Sequence, residues 1–82
     1  IYTVQYDYLY IDGVIENEDS YSFHVAESAR ANLILGSAEY IYINGTKHKI
    51  SEIAGGYLQV EKTNDIDISE DSLTKQNVFR VE

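Results

Sequence analysis

Hydrophobic and polar positions alternate along most of the chain with a period of two, which is typical of β-strands. In residues 1–11 the even-numbered positions carry four tyrosines and one valine. Asp12-Gly13 follows, and this pair favours a type I′ turn because both central residues of that turn have positive φ. We therefore predict a hairpin that turns at Asp12-Gly13 and continues as a strand over residues 21–25. Its register would place Asp7 opposite Glu18, so a bulge or second turn is expected within residues 16–20.

The pattern changes over residues 26–35, where alanines and leucines stand beside Glu27 and Arg30. These residues favour a short helix, and Gly36 is suitably placed just after its end. A strand over residues 32–35 is the competing interpretation.

The strongest hairpin signal is Asn44-Gly45, which lies between two alternating runs. The implied register pairs Ile43 with Thr46 and Ile41 with His48. One face would then be the core side, and the other would be solvated, with lysine stems lying on tyrosine rings. The core side carries Ile41, Ile43, Thr46, His48 and Ile50, and the solvated side carries Tyr40, Tyr42, Lys47 and Lys49.

The last third of the chain continues the strand pattern. Gly55-Gly56 predicts a joint, residues 57–62 and 78–81 predict strands, and residues 66–68 a short edge. Residues 69–77 are polar and predict a loop or one helical turn. The whole chain, residues 1–82, is expected to be one small domain of mainly β structure, at the border of α+β. We predict a small antiparallel barrel or strongly bent sheet of five to six short strands with one short helix.

Charge is concentrated at the two ends of the chain. The sequence has 82 residues and a formal net charge of -8, yet residues 1–29 contain six acids and no lysine or arginine. The middle is close to neutral, and residues 64–82 are acidic again. If the ends lie side by side they would form a negative face, which favours a basic partner and speeds its association. The simpler interpretation is that the charge keeps a small protein soluble.

Composition makes several classes of chemistry improbable. The chain has no cysteine, which excludes disulfides, thiolate nucleophiles and cysteine metal sites. Neither His24 nor His48 has an acid at a spacing that predicts catalysis, so both are expected to be structural or surface residues. We predict no enzyme, no cofactor and no metal site.

Four weaker motifs carry little functional weight. Residues 65–71 resemble the first half of a calcium loop but lack its glycine and its final glutamate, and residues 16–19 are more simply a solvated acidic loop. Asn44-Gly45-Thr46 matches a glycosylation acceptor, although a turn already explains it. Lys47 and Lys49 beside Tyr40 and Tyr42 could clamp a single nucleic-acid strand. The -8 charge opposes that interpretation, so direct nucleic-acid binding is not expected.

No apolar run is long enough to span a membrane and no signal peptide is visible, so neither membrane binding nor export is expected. The chain begins with isoleucine, so removal of an N-terminal leader is an alternative that stays open. We expect a cytoplasmic location, which would be the host cytoplasm for a viral protein.

The tyrosines are the most informative feature, because a core rarely buries four phenols in a row and tyrosine is enriched at binding hot spots. We predict a non-enzymatic module that presents a negative, tyrosine-rich face to a basic protein, with nucleic-acid-binding proteins among the candidate partners. Phage-encoded inhibitors of host defence nucleases offer an analogy in size and charge. The candidate binding residues are Tyr6, Asp7, Tyr8, Tyr10, Glu16, Glu18, Asp19 and Tyr21, with a secondary patch at Tyr40, Tyr42, Lys47 and Lys49.

The alternative is a structural or assembly subunit, such as a virion or surface module. There the tyrosine strand or the Tyr/Lys hairpin would form homo-oligomers through an exposed sheet edge.

Overall fold

The computed structural model describes residues 7–66 and 77–82, which form a closed antiparallel β-barrel with one short helix. Around the barrel the strands follow the order β1-β2-β5-β4-β3-β6, and β6 pairs with β1 to close it. The predicted fold class is confirmed. In chain order the elements are β1 (Asp7–Glu16), β2 (Ser20–Val25), α1 (Ala29–Leu35), β3 (Tyr40–Ile43), β4 (Thr46–Ala54), β5 (Tyr57–Glu61) and β6 (Val78–Val81).

The two glycine turns after the helix form as predicted. Asn44 and Gly45 have φ of 52° and 81°, and the β3–β4 register pairs Ile41 with His48 and Ile43 with Thr46. Gly55 and Gly56 also have positive φ and join β4 to β5. Type I′ geometry matches the twist of the flanking strands, so both hairpins are fixed locally.

The predicted helix also forms, although it is shorter than residues 26–35. Ser28 begins it as the N-cap, with its Oγ accepting a hydrogen bond from the Ala31 amide at 3.0 Å. Gly36 ends it with a right-handed φ of -65°, so the cap does not depend on the left-handed freedom of glycine.

The predicted turn at Asp12-Gly13 is wrong. β1 runs through both residues as a bulge, with Ile11 paired to Val25 and Gly13 paired to His24. The turn lies instead between Glu16 and Ser20, inside the range where a second turn or bulge was expected. Within one continuous strand, the bulge lets both Ile11 and Val14 turn toward the interior, because it shifts the alternation by one residue.

The two longest strands, β1 and β4, each contain a β-bulge at which they change partner. β1 changes partner from β6 to β2 at the Asp12 bulge, and β4 changes partner from β3 to β5 at a bulge beside Ser51. Apolar residues three positions apart flank each bulge: Ile11 and Val14 in β1, and Ile50 and Ile53 in β4. Each bend lets one strand belong to both halves of the barrel, which is what closes it.

The core fills the barrel and extends under α1, which contributes Ala31 and Ile34. Leu9, Phe23, Ile41, Leu58, Val60 and Val81 are its most completely buried large side chains. Ile66 is buried but lies outside any strand, and the rest of the predicted edge and loop after it falls outside the described residues. Across the ranges 7–66 and 77–82, no helix is long and apolar enough to cross a membrane.

Candidate functional site

Three predicted acids meet at the β1–β2 turn. Glu16, Glu18 and Asp19 are all exposed there, and β5 brings Glu61 beside them because it pairs with Ser20. Lys62 is the cation at this end, with its Nζ 2.9 Å from Glu16 Oε1. We call Glu16, Glu18, Asp19 and Glu61 the acidic end.

The exposed tyrosines form a separate surface on the opposite half of β1. Tyr8 and Tyr10 are 59% and 56% exposed, and their cross-strand partners on β6 are Arg80 and Val78. Residues directly opposite in an antiparallel pair share a face, so these four side chains point outward together. The guanidinium of Arg80 lies 4.0 Å from the ring centroid of Tyr42, which continues the surface onto β3. We call this surface the tyrosine face; it comprises Tyr8, Tyr10, Tyr40, Tyr42, Val78 and Arg80.

The two tyrosines of the secondary patch each contact a basic side chain: Tyr40 contacts Lys47, and Tyr42 contacts Arg80. Lys47 Nζ lies 4.2 Å from the Tyr40 ring centroid, and the Tyr42 hydroxyl donates to Glu82 Oε2 at 2.8 Å. That hydrogen bond, joined by the nearby Lys47, holds the pKa of Glu82 below its usual value despite desolvation. Desolvation opposes ionisation of Lys47, but its contact with Glu82 raises its pKa overall. The lysine stacking predicted from the hairpin is therefore present at Lys47.

The described residues do not form the single negative tyrosine face that the sequence predicts. The charges next to the tyrosines are mostly cationic, whereas Glu16, Glu18 and Asp19 lie at the other end of β1. Tyr21 is only 8% exposed and faces the core, with Lys62 Nζ 5.4 Å from its ring centroid.

The remaining members of the predicted site lie elsewhere. Asp7 lies 3.3 Å from Arg30 of α1 and apart from the acidic end. Tyr6 falls outside the described residues, and Lys49 is exposed on β4 opposite Tyr40.

The bulge in β1 creates a contact that residue spacing did not predict. It brings the Asp12 carboxylate to Nδ1 of His24, with which it forms a hydrogen bond. The His24 ring meets Tyr57 of β5 in an edge contact, with centroids 4.9 Å apart. Asp12 therefore orients His24, although the sequence predicted no carboxylate partner for this histidine. The oriented His24 ring in turn positions the Tyr57 ring.

A shallow pocket of about 310 Å³ lies beside Tyr57 and beside the acidic end. Asn17 Nδ2 donates to Ser22 Oγ at 2.8 Å and to Ser20 Oγ at 3.2 Å, and Gln59 Nε2 donates to Ser20 Oγ at 2.7 Å. This network fixes both amides. We call it the amide pocket; its lining is Ile15, Asn17, Ser22, Glu52, Ala54, Tyr57 and Gln59.

The second histidine is buried, as its place on the isoleucine face of the hairpin predicts. His48 Nε2 lies 3.0 Å from Asp65 Oδ2. A hydrogen bond from the Thr63 hydroxyl, with His48 adding to it, lowers the pKa of Asp65 despite some desolvation. Asp65 is thus occupied by its neighbours, and most of the rejected calcium loop lies outside the described residues. Within residues 7–66 and 77–82 no three histidines or carboxylates are grouped to hold a metal ion.

Comparison of the chain with protein-family models, with curated proteins and with solved structures found no match.

Proposed function

We propose that this chain is a non-enzymatic protein-binding module that engages a basic protein surface through its acidic end. The supporting observation is the convergence of Glu16, Glu18 and Asp19 with Glu61 at one end of the barrel, all exposed. Clustered carboxylates on a rigid turn attract and orient a cationic partner, and the -8 net charge adds long-range steering.

A capture experiment with matched charge changes tests this function. The bait is the whole chain, and the source is the organism that encodes it, at low and moderate salt. Glu18→Lys/Asp19→Lys should abolish capture of the partner, whereas Glu27→Lys/Glu39→Lys changes the net charge equally at exposed sites elsewhere and should preserve it. Glu16 is left intact because it holds Lys62. Capture that survives the first pair of reversals contradicts the proposal.

The narrower form of the proposal is that the partner surface normally holds nucleic acid, as it would for a phage-type inhibitor acting by mimicry. Adjacent carboxylates support it, since a nucleic-acid site recognises repeated negative charge. A single- or double-stranded oligonucleotide should then compete with the wild-type chain for the purified partner. A partner that binds both at once excludes mimicry and leaves protein binding intact.

The tyrosine face favours a second candidate, self-assembly. Tyr8, Tyr10 and Val78 are exposed apolar side chains on adjacent strands, a composition typical of interfaces. The open sheet edge expected for this role is not present among the described strands, because the barrel closes. Assembly would therefore use a face.

Sedimentation velocity over a wide concentration range tests self-assembly. Oligomers that dissociate in Tyr8→Ser/Tyr10→Ser support it. A strict monomer at high concentration contradicts it.

A further inference from the structure

The amide pocket contains two amide oxygens that accept no hydrogen bond from the described residues. Both hydrogens of the Asn17 amide go to serine hydroxyls, and the Gln59 amide donates to Ser20. Each amide therefore keeps its carbonyl oxygen for a ligand, and no described group donates to either oxygen. Glu52 adds a carboxylate without an ion-pair partner among residues 7–66 and 77–82.

The register places these groups in one outward row. Ile15 pairs with Ser22, Ser22 with Gln59, and Gln59 with Glu52, so four adjacent strands contribute one side chain each. Tyr57 borders the row, and its ring is held by His24. The pocket thus combines spaced acceptors, an aromatic ring and a half-exposed isoleucine on a rigid sheet.

We infer that the amide pocket binds the guanidinium of an arginine side chain on the basic partner, an inference that rests on the proposed function. Arginine carries five donors and no acceptor, which complements the side-chain oxygens of Asn17, Gln59 and Glu52. Its flat head stacks on aromatic rings and its fork spans separated acceptors better than the compact ammonium of lysine does. The acidic end adjoins the pocket through Asn17, which stands between Glu16 and Glu18, so charge draws the arginine to this part of the barrel.

NMR titration of the whole chain with three short capped peptides tests the inference without the partner. The peptides differ only in a central arginine, lysine or citrulline. The arginine peptide should shift the amide signals of Ser22, Glu52, Tyr57 and Gln59. The lysine peptide should bind more weakly, and the uncharged citrulline peptide should leave these signals unchanged.

Substitutions place the binding in the pocket. Glu52→Gln should weaken arginine-peptide binding roughly fivefold, the range of an exposed ion pair, and Tyr57→Leu by about threefold through loss of stacking. Glu39→Gln removes the same charge from an exposed site outside the pocket and should have no effect. Equal responses to arginine and citrulline, shifts confined to other residues, or equal losses in Glu39→Gln and Glu52→Gln overturn the inference.

The two proposals can fail separately. If Glu52→Gln and Tyr57→Leu bind the captured partner as tightly as wild type, the pocket is not the arginine site although the acidic end still serves. If reversal at Glu18 and Asp19 spares capture while the arginine peptide titrates the pocket, the pocket stands and the role of the acidic end fails.

Discussion

At the scale of single residues, the chain uses short polar contacts to fix side chains that a solvated surface would leave loose. Tyr42 bonds to Glu82, and Asp12 bonds to His24, which in turn contacts Tyr57. None of these contacts is deeply buried, so their main effect is orientation rather than stability. The candidate binding groups are therefore held in place before any partner arrives.

The hydrogen bond from Tyr42 lowers the pKa of Glu82, and this effect can be tested. Removing the hydroxyl in Tyr42→Phe should raise the pKa of Glu82 toward its usual value, because that hydrogen bond is the largest cause of the lowering. Tyr40→Phe is the control, since its hydroxyl does not bond to Glu82. Carboxyl carbon NMR across the acidic range measures both. An unchanged Glu82 in Tyr42→Phe would contradict the assignment.

The same contact has a defined pH dependence. A carboxyl whose pKa is lower in the folded state stabilises the fold above its unfolded pKa, and that stabilisation is lost as pH falls through the folded pKa. Wild type should exceed Tyr42→Phe in stability at pH 7, and the gap should shrink below about pH 4. Urea unfolding at pH 7 and pH 3 measures the gap. A gap that widens on acidification would show that Glu82 is not its source.

At the scale of elements, two similar dipeptides have different fates. Asn44-Gly45 forms the turn that local sequence predicts, whereas Asp12-Gly13 lies within a strand. A turn at Asp12-Gly13 would satisfy only the local turn preference of that dipeptide. The bulge also keeps Ile11 and Val14 on the interior side, and in addition it gives β1 a second strand partner.

The substitution of each glycine by alanine separates the two cases. Gly45 has φ of 81° with open space around it, so Gly45→Ala should cost about 1–2 kcal/mol from backbone strain alone. Gly13 has no positive φ, and a Cβ there would sit 3.9 Å from the His24 Cβ, an ordinary contact. Gly13→Ala should therefore be neutral or stabilising by about 0.4–1 kcal/mol, through the unfolded chain. Urea denaturation measures both, and an equal cost would show that Gly13 also needs a left-handed backbone.

These elements show how far the sequence could predict the molecule. Alternation predicted most of the strands and the Asn44-Gly45 register, and the alanines and leucines of residues 26–35 predicted the helix, because those features are local. Apolar residues three apart, Ile11 with Val14 and Ile50 with Ile53, were an available signal for the bulges. The Asp12–His24 contact and the amide pocket depend on pairing between strands distant along the chain, which no local pattern specifies.

At the scale of the whole molecule, the charge is unevenly distributed over the surface. The -8 net charge is gathered partly at the acidic end, while Lys47 and Arg80 lie over tyrosine rings on another part of the barrel. A basic partner of the proposed kind would be attracted to the first surface and repelled from the second. Charge therefore orients the encounter as well as hastening it.

Crowding of like charge should also make stability depend on salt. Salt at about 150 mM shortens the screening distance to roughly 8 Å, compared with about 30 Å at 10 mM. Relief of about 0.5 kcal/mol of repulsion should raise the melting temperature by about 2–4 °C, because about 1 kcal/mol corresponds to roughly 4–8 °C in a domain of this size. Glu18→Lys should reduce this rise more than Glu39→Lys, because three further carboxylates belong to the acidic end around Glu18. Calorimetry at both salt concentrations measures the difference, and both variants carry the same net charge. Equal reductions would mean that total charge governs stability, in which case the acidic end is not a concentrated surface.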